Sequence, residues 1–136
     1  MAGEFTSAVR RGLGTALLAV LLVACGPNGP STRGPAPLDS LPPEEIYKRG
    51  ELVLETARKP GDSLRYFQEV ERLYPYTEWA KRGLIMQAFV LHKTKEYDLA
   101  REAAQRYLDF YPGDEDAAYA QYLMALSYYD EIDEVG

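Results

Sequence analysis

The sequence of 136 residues contains a single cysteine and a single histidine. One cysteine excludes an intrachain disulfide framework and any zinc site built on paired cysteines. One histidine excludes a multi-histidine metal centre. The chain also lacks a glycine-rich phosphate loop and a recognisable nucleophile–base motif. The sequence therefore predicts a protein that is not an enzyme and that holds no cofactor and no metal.

Basic residues are in the minority, with 15 lysines and arginines against 21 aspartates and glutamates, which gives a formal net charge of −6. This balance argues against a nucleic-acid partner, because phosphates require a basic surface. No basic residue follows Arg106, whereas eight acidic residues do. The acidic end is therefore either a solvated surface or a site for a basic partner.

No hydrophobic run is long enough to serve as a stable membrane-spanning helix. The longest such run, Leu13–Val23, follows Arg10 and Arg11 and ends in Leu22–Cys25. That tetrapeptide resembles the bacterial lipobox, in which a peptidase cuts before a lipid-bearing cysteine. We predict a lipoprotein signal peptide over residues 1–24 and lipidation of Cys25. The arginine pair also fits a twin-arginine export signal.

The segment after the cysteine is rich in proline and glycine, with six prolines among residues 26–43. Such a composition buries little and favours an extended tether over residues 25–43. At about 3 Å per residue it would reach on the order of 50 Å. The residue after Cys25 is Gly26 and not aspartate, which by resemblance to sorted lipoproteins implies the outer membrane. We therefore expect a chain anchored by its lipid to the periplasmic face of the cell outer membrane.

From Glu44 onward, helix-forming and aromatic residues replace the prolines. The apolar spacing predicts five helices, with Thr77 as the N-cap of the third. Their ranges are 44–57, 62–74, 78–93, 98–110 and about 116–129. Arg72–Pro75 recurs 37 positions later as Asp109–Pro112, so the helices belong to a repeat.

The repeat resembles the tetratricopeptide unit, a helix–turn–helix with small residues where its helices touch and a proline near its end. Gly50, Ala88 and Ala125 occupy the first small position of successive units. We predict an all-α tetratricopeptide-repeat solenoid of about two and a half repeats after a disordered, lipidated N-terminus. Its units are residues 44–75, residues 76–112 and an incomplete third over 113–136. A nonrepetitive helical bundle is the alternative.

Three strings carry a more specific resemblance: PY-x-EWA at Pro75–Ala80, FYPG at Phe110–Gly113, and ALSYY followed by IDEVG. Together with the lipobox and the tether, they resemble the BamD (ComL) family of outer-membrane lipoproteins. The resemblance implies a scaffold subunit of the β-barrel assembly (BAM) machinery, with BamA, other BAM subunits and unfolded outer-membrane proteins as partners. The family has five repeats and docks BamA through the C-terminal ones, so that docking surface is expected beyond residue 136.

The first helix of each repeat is expected to line a groove for an extended peptide that ends in an aromatic residue and a free carboxylate. Arg82 and Lys93 form its cationic spot. The alternative is that these aromatic side chains simply pack between helices, which is the role predicted for Trp79 against the preceding helix. The predicted groove residues are Tyr47, Arg82, Ile85, Phe89, His92, Lys93, Tyr119, Tyr122, Leu126 and Tyr129.

Two other functions are compatible with an exported repeat protein. One is a periplasmic repeat adaptor for cell-wall or pilus assembly. The other is a component of transport or DNA uptake. The older family name ComL, which refers to competence, suggests this function.

Overall fold

The computed structural model describes residues 36–136. The predictions for the signal peptide, Cys25 and the disordered N-terminus lie outside the described residues. Every regular element in the described part is helical, which confirms the all-α class. The helices are α1 (Pro43–Thr56), α2 (Leu64–Leu73), α3 (Glu78–Lys93), α4 (Tyr97–Phe110) and α5 (Ala117–Val135). Short 3-10 helices cover Leu38–Ser40 and Pro60–Ser63.

The ends of the helices follow local side-chain chemistry. The Thr77 hydroxyl accepts the backbone N–H of Ala80 at 3.2 Å, which confirms the predicted N-cap of α3. Helix α1 has Pro43 at its first position, where the missing N–H of proline leaves no bond unmade. The predicted start of the second helix at Asp62 is wrong, because a 3-10 turn that begins at Pro60 precedes α2. Helix α5 extends beyond the predicted end at Tyr129.

Each helix packs mainly against the next one along the chain, and α1 with α3 and α3 with α5 also touch. This pattern is that of a helical repeat, in which every first helix contacts its own partner and the neighbouring units. Two apolar cores result. Phe67 lies in the core formed by α1, α2 and α3, and Tyr107 lies in the core formed by α3, α4 and α5. Both side chains are fully buried.

Small residues set the distances between these helices. Gly50 faces the ring of Phe67 so closely that an added Cβ would lie 2.8 Å from a ring carbon, and one at Gly83 would lie 3.1 Å from the Phe67 carbonyl oxygen. Ala88 is fully buried against α4. Ala125, the third predicted small position, is exposed. The described residues contain no helix that packs on Ala125 as α4 packs on Ala88.

The last part of the predicted tether is folded. Leu41 is buried and Leu38 packs against the same core, while the Tyr74 hydroxyl donates a hydrogen bond to the Leu41 carbonyl. Pro43 already belongs to α1. The reason is hydrophobic burial, since Leu38 and Leu41 are the large apolar residues of an otherwise polar, proline-rich segment. Residues 25–35 of the predicted tether lie outside the described part.

None of the helices within residues 36–136 combines the length and apolar character that crossing a membrane requires.

Candidate functional site

The candidate site is the face formed by the first helices of the repeats, α1, α3 and α5. At one end, the rings of Tyr47 on α1 and Trp79 on α3 lie 5.3 Å apart. The guanidinium carbon of Arg82 lies 5.3 Å from the centre of the Trp79 ring, one helical turn further along α3. The Arg82 side chain is 50% exposed. Helix α3 thus presents an aromatic ring and an accessible cation side by side.

Tyr47 is a wall of this site and not an open groove residue, which corrects the prediction from sequence. It is only 7% exposed, and its ring meets Phe67 edge-on at 5.4 Å. Burial and the neighbouring Glu51 carboxylate raise the pKa of Tyr47 to about 12, so its hydroxyl stays protonated near neutral pH. Ile85 is buried as well. Both positions fill the space where the first helices and their partners meet.

The middle of α3 supplies a second cation. The Lys93 ammonium lies 6.0 Å from the centre of the Phe89 ring. Lys93 is exposed, whereas Phe89 is half-buried between both cores. The two predicted cations therefore both lie next to aromatic rings of their own helix.

His92 joins α3 to α5, and its side chain is only 16% exposed. Its Nδ1 lies 3.1 Å from the Ser127 hydroxyl and its Nε2 lies 3.3 Å from an Asp130 oxygen. Ser127 is fully buried and donates its own proton to the Leu123 carbonyl. This hydroxyl is therefore held as a packing group and is not presented as a nucleophile. The groove role of His92 therefore stays a prediction, at a position that is mostly buried.

The tyrosines of α5 form the most exposed part of the face. Tyr119 and Tyr122 stack with their ring centres 6.2 Å apart, and burial together with the nearby Tyr122 raises the pKa of Tyr119. Tyr122 and Tyr129 project into solvent, while Leu126 is half-buried. An exposed set of aromatic rings on one helix is an unusual surface, because apolar groups of this size are normally covered.

Trp79 belongs to the site, although sequence reasoning assigned it to packing against the preceding helix. It packs against Tyr47 of α1, two helices earlier, and carries Arg82 over its ring. The available signal was the three-residue spacing between Trp79 and Arg82, which puts both side chains on one face of a helix.

Two acidic residues near the end of α5, Glu131 and Glu134, pair with basic residues of the preceding repeat. Arg101 of α4 bonds Glu131 at 2.8 Å and stacks over the Tyr128 ring at 4.3 Å. Lys95 forms an ion pair with Glu134. The preceding repeat therefore supplies the basic partners of these two carboxylates. A separate basic partner is not needed to explain them.

A second cluster, the turn clamp, ties α3 and α4 to the turn before α5. Asp114 accepts hydrogen bonds from the Lys81 ammonium at 2.6 Å, from the Tyr107 hydroxyl and from the backbone N–H of Asp116. The Lys81 ammonium in particular lowers the pKa of Asp114 to about 2. The sequence does not reveal this role of Asp114, because its side-chain partners lie 7 and 33 residues away.

Acid should weaken the turn clamp. The pKa of Asp114 is lower in the folded chain than its ordinary value of 3.8, so its contribution is complete above about pH 4 and is lost as pH falls towards 2. We expect Asp114→Asn to melt several degrees below the unmodified chain at pH 7, and this difference to shrink at pH 2 to 3. Thermal unfolding followed by circular dichroism at several pH values measures it. Glu102→Gln, at an exposed carboxylate of α4, is the control. A difference that stays constant with pH would contradict the assignment.

Comparison with known proteins identifies the family. Residues 39–136 match the family model described as YfiO, an outer membrane lipoprotein. The chain belongs to this family. A relative from Caulobacter vibrioides named outer membrane protein assembly factor BamD is 32% identical over 121 residues, which are 87% of this chain and 39% of the relative. The resemblance expected from the sequence is confirmed.

More distant relatives carry the same name. The protein from Rickettsia prowazekii is 30% identical over 66% of this chain and 36% of its own length. The protein from Xylella fastidiosa (strain Temecula1) is 25% identical over 65% of this chain and 30% of its own length. The chain thus spans less than two fifths of the length of the YfiO relatives that it matches. No solved structure matches it.

Proposed function

We propose that this chain is part of an outer-membrane lipoprotein subunit of the β-barrel assembly machinery. In this role it is a scaffold and receptor that aids assembly and insertion of outer-membrane β-barrel proteins. The observation that carries the proposal is the YfiO match over residues 39–136, with relatives named outer membrane protein assembly factor. The proposal includes a lipid on Cys25, attachment at the periplasmic face, and BamA and other BAM subunits as partners. It assigns no catalytic role.

The exposed face of α3 and α5 supports a role in holding an unfolded chain. Arg82 is bonded to Glu78 at 3.3 Å, but this pair lies on the surface, where such pairs contribute little. A peptide carboxylate can therefore take the place of Glu78 in a charge-assisted bond. The rings of Trp79, Tyr119 and Tyr122 offer aromatic partners on the same face. These are the two interactions that a segment ending in an aromatic residue and a free carboxylate requires.

Arg82→Glu should weaken this peptide interaction. The change replaces the cation by an anion, so we expect the affinity for a fluorescent peptide copied from the C-terminus of an outer-membrane β-barrel protein to fall roughly tenfold or more. Fluorescence anisotropy measures the affinity. Arg58→Glu, the same charge reversal at an exposed site after α1, is the control and should bind normally. Equal affinities of the Arg82 and Arg58 variants would contradict the proposed pose.

The cellular function is tested by depletion of the protein that contains this chain. We expect β-barrel proteins to decline in the outer-membrane proteome, while lipoproteins that need no barrel assembly remain. Unchanged levels of β-barrel proteins would refute the assembly role. Co-purification with peptidoglycan or pilin in place of BAM subunits would instead favour an adaptor of cell-wall or pilus assembly.

A further inference from the structure

A cleft of about 370 Å³ lies apart from the groove, between the two Tyr-Pro turns that end α2 and α4. Its walls are aromatic or apolar, and one charged residue, Glu71, lines it. The cleft opens where the last turns of the second helices meet the start of α3. We call it the turn cleft. Its lining residues are Glu71, Pro75, Tyr76, Ala80, Leu84, Phe110 and Tyr111.

Two rings at the mouth of the turn cleft lack the burial that aromatic side chains normally have. Tyr76 is 95% exposed and Phe110 is 65% exposed. Tyr76 also has a backbone φ of 67°, a left-handed conformation that a residue with a β-carbon rarely adopts. The equivalent position in the next repeat is Gly113. The second turn does not share this strain, because none of the described glycines has a positive φ. A strained tyrosine that is 95% exposed contributes little to packing, which points to a partner that covers it.

The Glu71 carboxylate in the turn cleft can accept one more hydrogen bond. Glu71 accepts two bonds from Arg106 and one from Gln87, all at 2.7 Å. An ionised carboxylate offers about four acceptor positions. Its side chain is 30% exposed, so the remaining position is accessible. Arg106 already offsets the charge of Glu71 locally, but the chain as a whole is acidic, with a net charge of −6, so the free acceptor position fits a basic side chain of the partner.

We propose that the turn cleft binds a proline-rich segment in the polyproline II conformation that carries a basic residue. Such segments dock between exposed aromatic rings, because their backbone is already extended and their proline rings stack on aromatic faces. The volume of the cleft suits a few ring-sized groups and is too small for the apolar face of a helix. A second copy of this chain is disfavoured, because two acidic chains repel each other.

The test uses the purified chain and a fluorescent peptide of sequence RAPPLPPLP. We expect saturable binding, at least fivefold weaker with Tyr76→Asn and with Phe110→Asn. Asparagine tolerates left-handed backbone, so Tyr76→Asn should bind less without melting at a lower temperature. Leu52→Asn, at an exposed apolar site on α1, should bind the peptide normally. Replacing the prolines by alanine, or the arginine by glutamate, should weaken the peptide to a similar degree.

The proposal fails if the unmodified chain does not bind the peptide at millimolar concentration, or if the Tyr76 and Phe110 variants both bind it normally. It also fails if analytical ultracentrifugation shows a dimer that Tyr76→Asn abolishes, because the occupant would then be a second copy. Should Tyr76→Asn prove unstable, Phe110→Asn alone decides, since Phe110 is an exposed residue at the end of α4. None of these substitutions changes Arg82, so the binding result for the turn cleft does not depend on the groove.

Discussion

Gly50→Val is expected to lower the free energy of unfolding by about 2 to 3 kcal/mol, the range of overpacking in a tight core. An added Cβ at Gly50 lies 2.8 and 2.9 Å from two ring carbons of Phe67 and 3.1 Å from the Cβ of Tyr66. Phe67 is fully buried and meets Tyr47 edge-on. Its ring therefore has no free space into which to move, and α1 must shift away from α2.

Valine is a better helix former than glycine by a few tenths of a kcal/mol, which is too little to offset this clash. For a domain of this size, the loss corresponds to a fall in Tm of about 10 °C or more. Thermal and urea unfolding measure it. The control is Gly113→Ala, since an added Cβ there meets no atom within 4 Å. If both variants unfold at the temperature of the unmodified chain, the contact between α1 and α2 is not as tight as described.

The same variant links packing to the candidate site. Tyr47 lies on α1 and touches Trp79, so the shift of α1 should disturb the ring that carries Arg82. We therefore expect Gly50→Val to weaken peptide binding below its melting temperature as well, by a smaller factor than Arg82→Glu. Gly50 thus allows α1 to pack closely on α2 and also determines the position of Tyr47 beside the groove.

Cys25→Ser should move nearly all of the protein from the membrane fraction to the soluble fraction. The predicted anchor consists of several acyl chains on one cysteine, and each buried CH₂ contributes about 0.8 kcal/mol to membrane binding. A single chain gives marginal attachment, whereas two or more hold firmly. Serine has no thiol to form the thioether, so the whole anchor is lost in one substitution. The expected change is therefore close to all-or-none.

Fractionation of cells after a carbonate wash, together with incorporation of labelled palmitate, measures this effect. Ser31→Ala, in the same proline-rich segment, is the control and should leave the protein in the membrane pellet with its label. A Cys25→Ser protein that still carries the palmitate label would refute lipidation at Cys25. Loss of the label without release would show that the chain is held at the membrane by a protein partner or by its uncut residues 1–24.

The helices were predictable because their signals are local. Thr77 caps α3 as expected, and α3 spans the predicted residues 78–93. Gly50 and Ala88 sit at helix contacts as the repeat requires, because a close approach of two helices excludes larger side chains. The family that the strings around Pro75 and Phe110 indicate is confirmed by the YfiO match. In each case the information lies within one repeat of the sequence.

The site was predicted less well, because the position of a residue along its own helix does not show which residues of other helices pack against it. Tyr47 and Ile85 occupy the expected positions but are buried by neighbouring helices. His92 is engaged by Ser127 and Asp130, which lie 35 and more residues later. Asp114, one of the acidic residues after Arg106, binds groups from two helices. These outcomes depend on partners that are distant in sequence.

The sequence by itself therefore determined the helical class, the repeat period and the family, since periodicity, capping and small residues act over a few turns of helix. Only the tertiary structure decided which tyrosines are buried and which are exposed. It also decided that Lys95 and Arg101 form ion pairs with acidic residues of α5. Burial and ion pairing are properties of surfaces that several helices build together. A single stretch of sequence does not contain them.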